Sequence, residues 1–334
     1  MVYENISSKS KILTILRSSE KPVSGDELAA ETNTSRTAVW KNIHALCDAG
    51  YKISSSRNGY ELKKDLEDSL CPWEFGKNES NFLHFKTIDS TMNRARKIAE
   101  DSDTFDTNGD FTRPSIITSD FQTDGKGRGN HSWENALGSL AFTHINFLKN
   151  EKINAAEEYR IQAAALISTA KVLEEISGRK FFIRWPNDIW STDGKVCGIL
   201  DEYNAQGSLC RWINIGIGIN FKETPVFSGK NKNYADCVFK DKSSVSRSVF
   251  LNRYLSEFEK QKKIAVQNDS ELENEFNSLC CDYRKTVILE NGTSAVFNGI
   301  NKYGWGKFLI LESEKKSNIN TKNKTRLEKI FPPG

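Results

Sequence analysis

Residues 181–220 read FFIRWPNDIWSTDGKVCGILDEYNAQGSLCRWINIGIGIN, and this stretch decides the fold. Three apolar, strand-like runs lie within it, at 181–188, 196–200 and 212–220. Turn residues separate the runs, at Asp193-Gly194 and near Gly207, which is the spacing of two successive tight hairpins. The stretch therefore predicts neighbouring antiparallel strands in the middle of the chain.

Two features of this stretch suggest chemistry. Asp188 ends the first strand, and Lys195 opens the second. Gly216 and Gly218 weaken an apolar strand, and a common reason to tolerate them is the close approach of a ligand or another backbone. The alternatives are a surface ion pair for the two charged residues, and a bulge or tight packing for the glycines.

A glycine-rich basic loop lies upstream, before a predicted long helix over 155–177. Residues 122–133 read QTDGKGRGNHSW. Three glycines alternate with two cations there, at Gly125, Lys126, Gly127, Arg128 and Gly129. A backbone that bends freely is thus combined with charge suited to a phosphate or carboxylate. The loop is neither a Walker A loop nor a dinucleotide-binding motif, and a flexible surface loop is the alternative.

From residue 82 onward, short β-rich runs alternate with amphipathic helices, as in a mixed α/β domain. Asp89-Ser90-Thr91 stand at the start of one such helix, which carries Ala95 and Ile98 on one side. Taken alone, this polar cluster is an N-cap.

The first sixty residues predict a winged helix-turn-helix. Apolar stripes indicate helices over 10–16, from Ser24 to about Asn33, and from Thr34 or Ser35 to Gly50. The turn pair Asn58-Gly59 between β-like runs then predicts a hairpin, which would be the wing.

The outward face of the third helix suits phosphate and major-groove contacts. It carries cations and hydrogen-bonding groups without an acid, at Ser35, Arg36, Thr37, Lys41, Asn42 and His44, with Arg57 in the hairpin. Residues 1–60 hold eight basic and six acidic side chains, so an ordinary solvated helix face is the alternative. We favour DNA binding, in which such units work as dimers on two-fold operators.

Composition narrows the class of protein. The chain has 334 residues, 37% of them hydrophobic and 27% charged, which fits two or three globular domains. A net charge of +3 gives no bulk attraction to nucleic acid. The apolar stretches are too short to cross a bilayer and no signal core begins the chain, so we expect a cytoplasmic protein with no membrane partner. Seven cysteines without CxxC spacing and four scattered histidines predict reduced core thiols and no structural metal.

The last part of the chain predicts a helix over 248–262 and then short strands. Apolar runs at 287–289, 295–297 and 308–311, with a turn at Asn291-Gly292, suit a small β-barrel. Residues 315–329 are rich in Lys, Asn and Thr, and we expect them to be partly disordered.

Five motifs together resemble the biotin protein ligases. They are Asp89-Ser90-Thr91, Gln122 with Gly125 to Arg128 and Trp133, Arg184 to Asp188, Lys195 to Leu200, and Gly216 to Asn220. They occur in that family's order and approximate spacing. With a winged helix in front, the chain resembles the bifunctional bacterial form, which is both biotin operon repressor and ligase.

The resemblance implies an α/β (α+β) protein in four parts. These are a winged helix-turn-helix DNA-binding domain (1–65), a linker (66–80), a mixed α/β catalytic domain with a largely antiparallel sheet (81–280) and a C-terminal SH3-like β-barrel (281–334). It also implies the substrates biotin and ATP with Mg²⁺, transfer of biotin to a lysine of a biotin carboxyl carrier protein domain, operator DNA as a partner, and a homodimer when the adenylate is bound.

The resemblance also implies roles for individual residues. Ser90, Thr91 and Gln122 would contact the ureido end of biotin. Lys126 and Arg128 would hold the carboxylate and phosphate side, while Gly127 and Gly129 supply backbone donors. Catalysis would rest on Lys195, Arg128 and Asp188, with Asp188 serving magnesium or the incoming amine. The remaining binding residues would be Gly125, Trp133, Arg184, Asn187, Gly198, Gly216, Gly218 and Asn220.

The chain departs from the family pattern at several positions. Lys126 replaces an arginine, Asn130-His131 stand where Gly-Arg is usual, and Arg184 replaces a lysine, which keeps the charge but changes its geometry. Tyr234 is the candidate for the residue that packs on adenine, within a candidate mobile flap over 222–241.

Three rivals remain open at this stage. The first is that the chain is a DNA-binding biotin sensor whose ligase activity is lost or weakened. The second is that it is a lipoate-type acyl ligase on the same architecture. The third is a ligase whose helix-turn-helix unit is only an interaction module.

Overall fold

The computed structural model describes residues 6–101, 114–129, 131–136, 138–148, 151–225, 235–240, 245–289, 291–311 and 326–331. Its N-terminal part is the predicted winged helix. The elements are α1 (Ser8–Ser18), α2 (Gly25–Thr32), α3 (Arg36–Ala49), β1 (Lys52–Ser56) and β2 (Gly59–Lys64). The hydroxyl of Ser35 accepts from the Ala38 N–H at 3.1 Å and so caps α3, which ends at Gly50 with a φ of 116°.

The turn of the wing lies one residue before its predicted place. Ser56 pairs with Gly59, so Arg57 and Asn58 form the turn and Gly59 opens β2. A Cβ on Gly59 would lie 2.2 Å from the carbonyl oxygen of Val23, because the strand packs against the chain just before α2. Close approach of two backbone segments therefore explains this glycine.

A seven-stranded sheet forms the centre of the molecule. In chain order its strands are β3 (Phe82–Ile88), β4 (Ile116–Gln122), β5 (Leu140–Phe147), β6 (Phe182–Arg184), β7 (Asp188–Trp190), β8 (Lys195–Gln206) and β9 (Leu209–Ile219). The strand order is β3-β4-β5-β9-β8-β7-β6. Only β3 and β4 run parallel, so the largely antiparallel sheet predicted from the hairpins is confirmed.

Helices cover both faces of this sheet. They are α4 (Thr91–Asp101), α5 (Tyr159–Ser177), α6 (Arg247–Gln267) and α7 (Asp269–Leu279). Ala95 and Ile98 of α4 pack on Ile117 and Ile145, whereas α5, α6 and α7 join the main core on the other face. The predicted start of α5 at 155 is a short 3₁₀ turn capped by Asn154, and the α-helix begins at Tyr159.

The C-terminal part is an antiparallel sheet in chain order. Its strands are β10 (Thr286–Ile288), β11 (Ser294–Ile300), β12 (Gly306–Leu311) and β13 (Arg326–Phe331). No pairing joins β10 to β13 in the described residues, so the sheet is open and a barrel is not seen. Residues 326–329 of the tail expected to be disordered belong to β13, while 312–325 lie outside the described residues. No described helix has the length and apolarity of a membrane span.

The predicted linker is folded against both of its neighbours. Residues Pro72–Asn81 form 3₁₀ turns, in which Trp73 packs on the winged-helix core and Phe75 on the main core. Arg17 of α1 pairs with Asp65 at 2.7 Å and with Glu74 at 2.9 Å. The segment between the two units is thus held by packing and by an ion-pair network.

His144 on β5 makes the fold sensitive to acid. Its ring is buried against Tyr254 and Phe258, and burial lowers its pKa from 6.5 to about 3. Because the folded pKa lies below the unfolded one, this stability is present above pH 6.5 and is lost as the pH falls toward 3. Between pH 7 and pH 5, His144 should account for a decrease of about 2 kcal/mol in the unfolding free energy of the wild type. We expect His144→Leu to lack this decrease. Urea unfolding at the two pH values checks this, with exposed His44→Leu as the control that keeps the wild-type slope.

Candidate active site

A cavity of about 490 Å³, which we call the main cavity, opens where the glycine-rich loop meets β8, β9 and the start of α4. Most of the predicted site residues line it: Ser90, Thr91, Gln122, Lys126, Gly127, Arg128, Gly129, Trp133, Asn187, Asp188, Lys195, Gly198, Gly216 and Gly218. These residues are far apart in sequence, and the sheet brings them to one place because β8 and β9 are adjacent hairpin strands.

Three cations share the main cavity, which sets its electrostatic character. Lys126, Arg128 and Lys195 all line it. The Lys195 ammonium lies 2.7 Å from the Asp188 carboxylate, so these two residues are an ion pair in the cavity wall. Lys126 pairs with Asp124 at 2.5 Å. A cavity with converging cations is suited to a ligand that carries more than one negative charge.

One end of the main cavity is a fixed polar network. Gln122 Oε1 accepts from the Thr91 N–H at 2.8 Å and from the Thr91 hydroxyl at 3.0 Å. The Thr143 hydroxyl donates to Thr91 Oγ1 at 2.9 Å. All three residues are buried, and Ser90 beside them is completely so. The network holds Thr91 and Gln122 in one arrangement, and sequence analysis missed Thr143 because it lies within an unpredicted strand.

The strand glycines admit two large side chains of the same molecule. A Cβ on Gly218 would lie 2.3 Å from Cε2 of Trp133, and a Cβ on Gly198 3.1 Å from the same ring. On Gly216 it would lie 2.6 Å from Sδ of Met92. We predicted close approach of a ligand or another backbone at Gly216 and Gly218, but the groups that approach are the side chains of Met92 and Trp133, so the alternative of tight packing describes these two glycines.

Gly218→Ala tests how far the cavity depends on this contact. The added methyl group overlaps the Trp133 ring, and the ring has to leave its place over Gly218 and Gly198. We expect a loss of at least tenfold in affinity for a ligand of the main cavity. Isothermal titration with biotin checks this. Gly25→Ala, at a helix glycine whose added methyl group would make only ordinary contacts, is the control that binds as the wild type does.

Three predicted site residues do not line the main cavity. Asn220 is buried, and its side-chain amide donates to the Asp236 carbonyl at 3.0 Å and to the Lys195 carbonyl at 3.4 Å, so it holds the backbone of Lys195 rather than a ligand. The Arg184 guanidinium stacks 4.6 Å from the Trp190 ring centre. Gly125 lies against the Trp133 backbone. Asn130, Tyr234 and residues 226–234 of the candidate flap lie outside the described residues.

A second cavity of about 480 Å³, which we call the side cavity, adjoins the main cavity. Four residues line both: Arg128, Asn187, Ile199 and Leu200. Two acids and two aromatic residues also line the side cavity: Glu158 at the start of α5, Asp201 and Tyr203 in β8, and Trp305 before β12. Burial raises the pKa of Glu158 to about 7 and that of Asp201 to about 6. Sequence analysis gave no signal for this pair of acids.

No cluster of three metal-binding side chains occurs in the part of the chain that the structure describes. Asp188 is the one carboxylate among the described residues that line the main cavity. Magnesium in proteins is commonly held by one or two carboxylates and by substrate phosphates. The residues present therefore fit a magnesium ion that enters with a polyphosphate and contacts Asp188.

The predicted DNA-binding residues of the third helix lie on and around its exposed side. Arg36, Thr37, Lys41 and His44 are exposed, as is Arg57 at the turn of the wing, and Asn42 is half-buried. Ser35 caps the helix, and Arg36 pairs with Asp26 at 3.2 Å. Trp40 is 52% exposed and lies with its ring centre 4.2 Å from that of His44, which sequence analysis did not anticipate.

Comparisons with known proteins agree with this architecture. Residues 9–61 match the model of an HTH domain, and residues 85–220 match that of the Biotin/lipoate A/B protein ligase family. The bifunctional ligase/repressor BirA of Bacillus subtilis (strain 168) is 30% identical over 209 residues, 61% of each chain. The protein of the same name from Escherichia coli (strain K12) is 26% identical over 63% of this chain and 62% of its own. The matches span about three fifths of these curated relatives.

The fold agrees with a solved structure as well. Biotin protein ligase from Aquifex aeolicus in complex with biotin and ATP superposes with a TM-score of 0.55 at 21% identity. The superposition covers 75% of this chain and 99% of that one. The resemblance read from the five motifs is therefore confirmed. The chain is homologous to bifunctional ligase/repressors and joins an HTH domain to a domain of the biotin/lipoate ligase fold.

Proposed function

We propose that this homologue of the bifunctional ligase/repressors is an ATP-dependent biotin protein ligase that also represses transcription in response to biotin. The observation that carries the proposal is the shared main cavity, in which Arg128 and Lys195 converge beside the buried Thr91–Gln122 network. The cavity would hold biotin and ATP as substrates. We also propose that the chain divides into a DNA-binding domain (1–65), a linker (66–80), a catalytic domain (81–280) and a C-terminal domain (281–334).

The first half-reaction needs the cations because both reactants are anions. An oxygen of the biotin carboxylate attacks the α-phosphorus of ATP, and pyrophosphate leaves with the electron pair of the broken bond. Arg128 and Lys126 hold the carboxylate and phosphate side, and Lys195 stabilises the charge that grows in the transition state. Gly129 offers a backbone donor without a side chain in the way, whereas the Gly127 N–H, which we also predicted to face the ligand, donates to the His131 carbonyl at 2.9 Å. Thr91 and Gln122 orient the ureido end.

Magnesium would arrive as Mg-ATP and neutralise the phosphates. Asp188 would hold that ion or the incoming amine, and its ion pair with Lys195 keeps its carboxylate at the cavity wall. The product adenylate would stay in the main cavity, and the amine of the carrier-protein lysine would attack it there.

The regulatory part of the proposal rests on the winged helix. The adenylate would favour a homodimer, and two winged helices would read a two-fold operator. The C-terminal strands would form a small SH3-like β domain beside the catalytic domain. We expect the protein to act in the cytoplasm.

The test of the enzymatic proposal is transfer to an acceptor. The full chain is incubated with Mg-ATP, a carrier domain and either biotin or lipoate, and the mass of the carrier is measured. We expect a single biotin on one lysine. An unmodified carrier with biotin-dependent DNA binding would favour a sensor, and lipoylation alone a lipoate ligase, and either result contradicts the proposal.

A further inference from the structure

The side cavity adjoins the main cavity and is lined by acidic residues, whereas cations line the main cavity. The four residues that line both cavities form a common wall, and Arg128 is the charged member of that wall. On the far side of it lie the carboxylates of Glu158 and Asp201. A ligand of the side cavity would therefore lie beside whatever occupies the main cavity.

The two acids are placed to bind a cation from outside the described structure. Glu158 and Asp201 are both half-buried, and both line the side cavity. Neither Glu158 nor Asp201 accepts a hydrogen bond from the side chain of another described residue, and Arg128 acts on Asp201 through its charge. The two carboxylates accept backbone N–H bonds, and a bound cation with several N–H donors would stabilise the two negative charges further.

The rest of the side cavity suits the stem of a lysine. The rings of Tyr203, which is 44% exposed, and of Trp305 line it together with the apolar side chains of Ala155 and Ala156. Lysine packs its methylene chain on such surfaces while its ammonium reaches a polar group. The cavity thus combines an apolar wall with an acidic end.

We propose that Glu158 and Asp201 receive the ammonium group of the acceptor lysine and remove the proton that it must lose before it attacks the adenylate. This inference rests on the proposed ligase function and assigns the base of its second half-reaction. Neither residue belongs to the motifs that carry the resemblance.

A carboxylate of the pair takes one proton from the ammonium, and the freed nitrogen lone pair forms a bond to the acyl carbon of biotinyl-AMP. The bond from that carbon to the phosphate oxygen breaks, and AMP leaves with the electron pair. The second proton of the nitrogen passes to the released phosphate, and the products are an amide, AMP and a protonated carboxyl group.

The protonation behaviour of the pair supports this role. Burial and the neighbouring Asp201 raise the pKa of Glu158 to about 7, and burial raises that of Asp201 to about 6. Groups that titrate near neutral pH are efficient proton acceptors.

Single-turnover kinetics with preformed biotinyl-AMP test the assignment. We expect Glu158→Gln and Asp201→Asn to lower transfer to a carrier domain by at least tenfold each, and the double variant by about a hundredfold. Adenylate formation, followed by pyrophosphate exchange, should stay within about twofold of wild type. Exposed Glu259→Gln on α6 is the matched control.

Hydroxylamine separates proton removal from a structural role. It is largely uncharged at neutral pH and needs no base to become a nucleophile, so we expect the variants to release biotinyl hydroxamate at the wild-type rate. Transfer by the double variant at the rate of the Glu259→Gln control overturns the inference. An equal loss with hydroxylamine also overturns it, since the acids would then act on the adenylate. A wild type that forms no adenylate instead contradicts the proposed function.

Discussion

Replacing Lys195 by alanine is expected to lower the rate of adenylate formation by about a hundredfold to a thousandfold. The substitution removes a fixed cation from the wall where two anions have to meet, and loss of one such donor typically costs about 3 kcal/mol of transition-state stabilisation. It also leaves Asp188 without its partner at 2.7 Å, which places an uncompensated negative charge beside the phosphates. Biotin-dependent exchange of pyrophosphate into ATP measures the effect.

The matched control is Lys180→Ala, which removes the same charge from a lysine that is 71% exposed and does not line the main cavity. We expect that variant to keep the wild-type rate. A Lys195→Ala enzyme that also exchanges pyrophosphate within about threefold of wild type contradicts the role given to Lys195. Because Lys195 is the first residue of β8 and not in the core, we expect the variant to fold, and circular dichroism verifies this.

The second large effect is expected at the winged helix. Combined replacement of Arg36, Lys41 and Arg57 by alanine should weaken operator binding by about a hundredfold at moderate salt, because each cation that contacts a phosphate adds counterion release. The plot of log K against log salt should become shallower by about 0.9 for each lost contact. Ligase activity should be unchanged, since none of the three lines the main cavity.

The control for the winged helix carries the same loss of charge elsewhere. Lys180, Lys260 and Lys263 are exposed residues of the catalytic part, and their triple alanine variant should bind the operator as the wild type does. Equal weakening in both triple variants would mean that net charge alone drives the binding. Fluorescence anisotropy on a labelled operator, over a salt series, distinguishes the two results.

Capping chemistry made the N-terminal unit predictable. Ser24, Ser35 and Gly50 stand where helices begin or end, and the structure uses each in that role. The hairpin strands β8 and β9 were equally clear, because turn residues mark their ends. Local rules of this kind act over a few residues, so a single sequence contains them.

Two of the elements that escaped prediction, β5 and α7, did so for different physical reasons. β5 is buried along nearly its whole length, so its sequence lacks the apolar–polar alternation of a half-exposed strand. It also contains the polar residues Thr143, His144 and Asn146, which are not typical of a core strand. α7 buries only Leu272 and Phe276, and its many acids hide the short apolar stripe. In both cases tertiary packing, which has no local signature, decides the structure.

The candidate site likewise contains residues that the sequence predicted and residues that only the fold revealed. The five motifs predicted most of the residues that line the main cavity. Glu158 and Asp201 carry no motif, since one precedes a helix and the other lies within a strand, and only the fold brings them together. Arg184 and Asn220 stand within motifs yet do not line the main cavity, because a motif records which residues occur together and not which way each side chain points.

Mass spectrometry of the intact protein tests the central claim most directly. The purified chain is exposed to biotin and Mg-ATP, freed of small molecules by rapid gel filtration, and weighed under non-denaturing conditions. Our account predicts that wild type gains the mass of one biotinyl-AMP, and that Arg128→Ala and Lys195→Ala retain little or none. A wild type without that mass, or variants that carry it as fully, would contradict the claim that these two cations bring the two anions together.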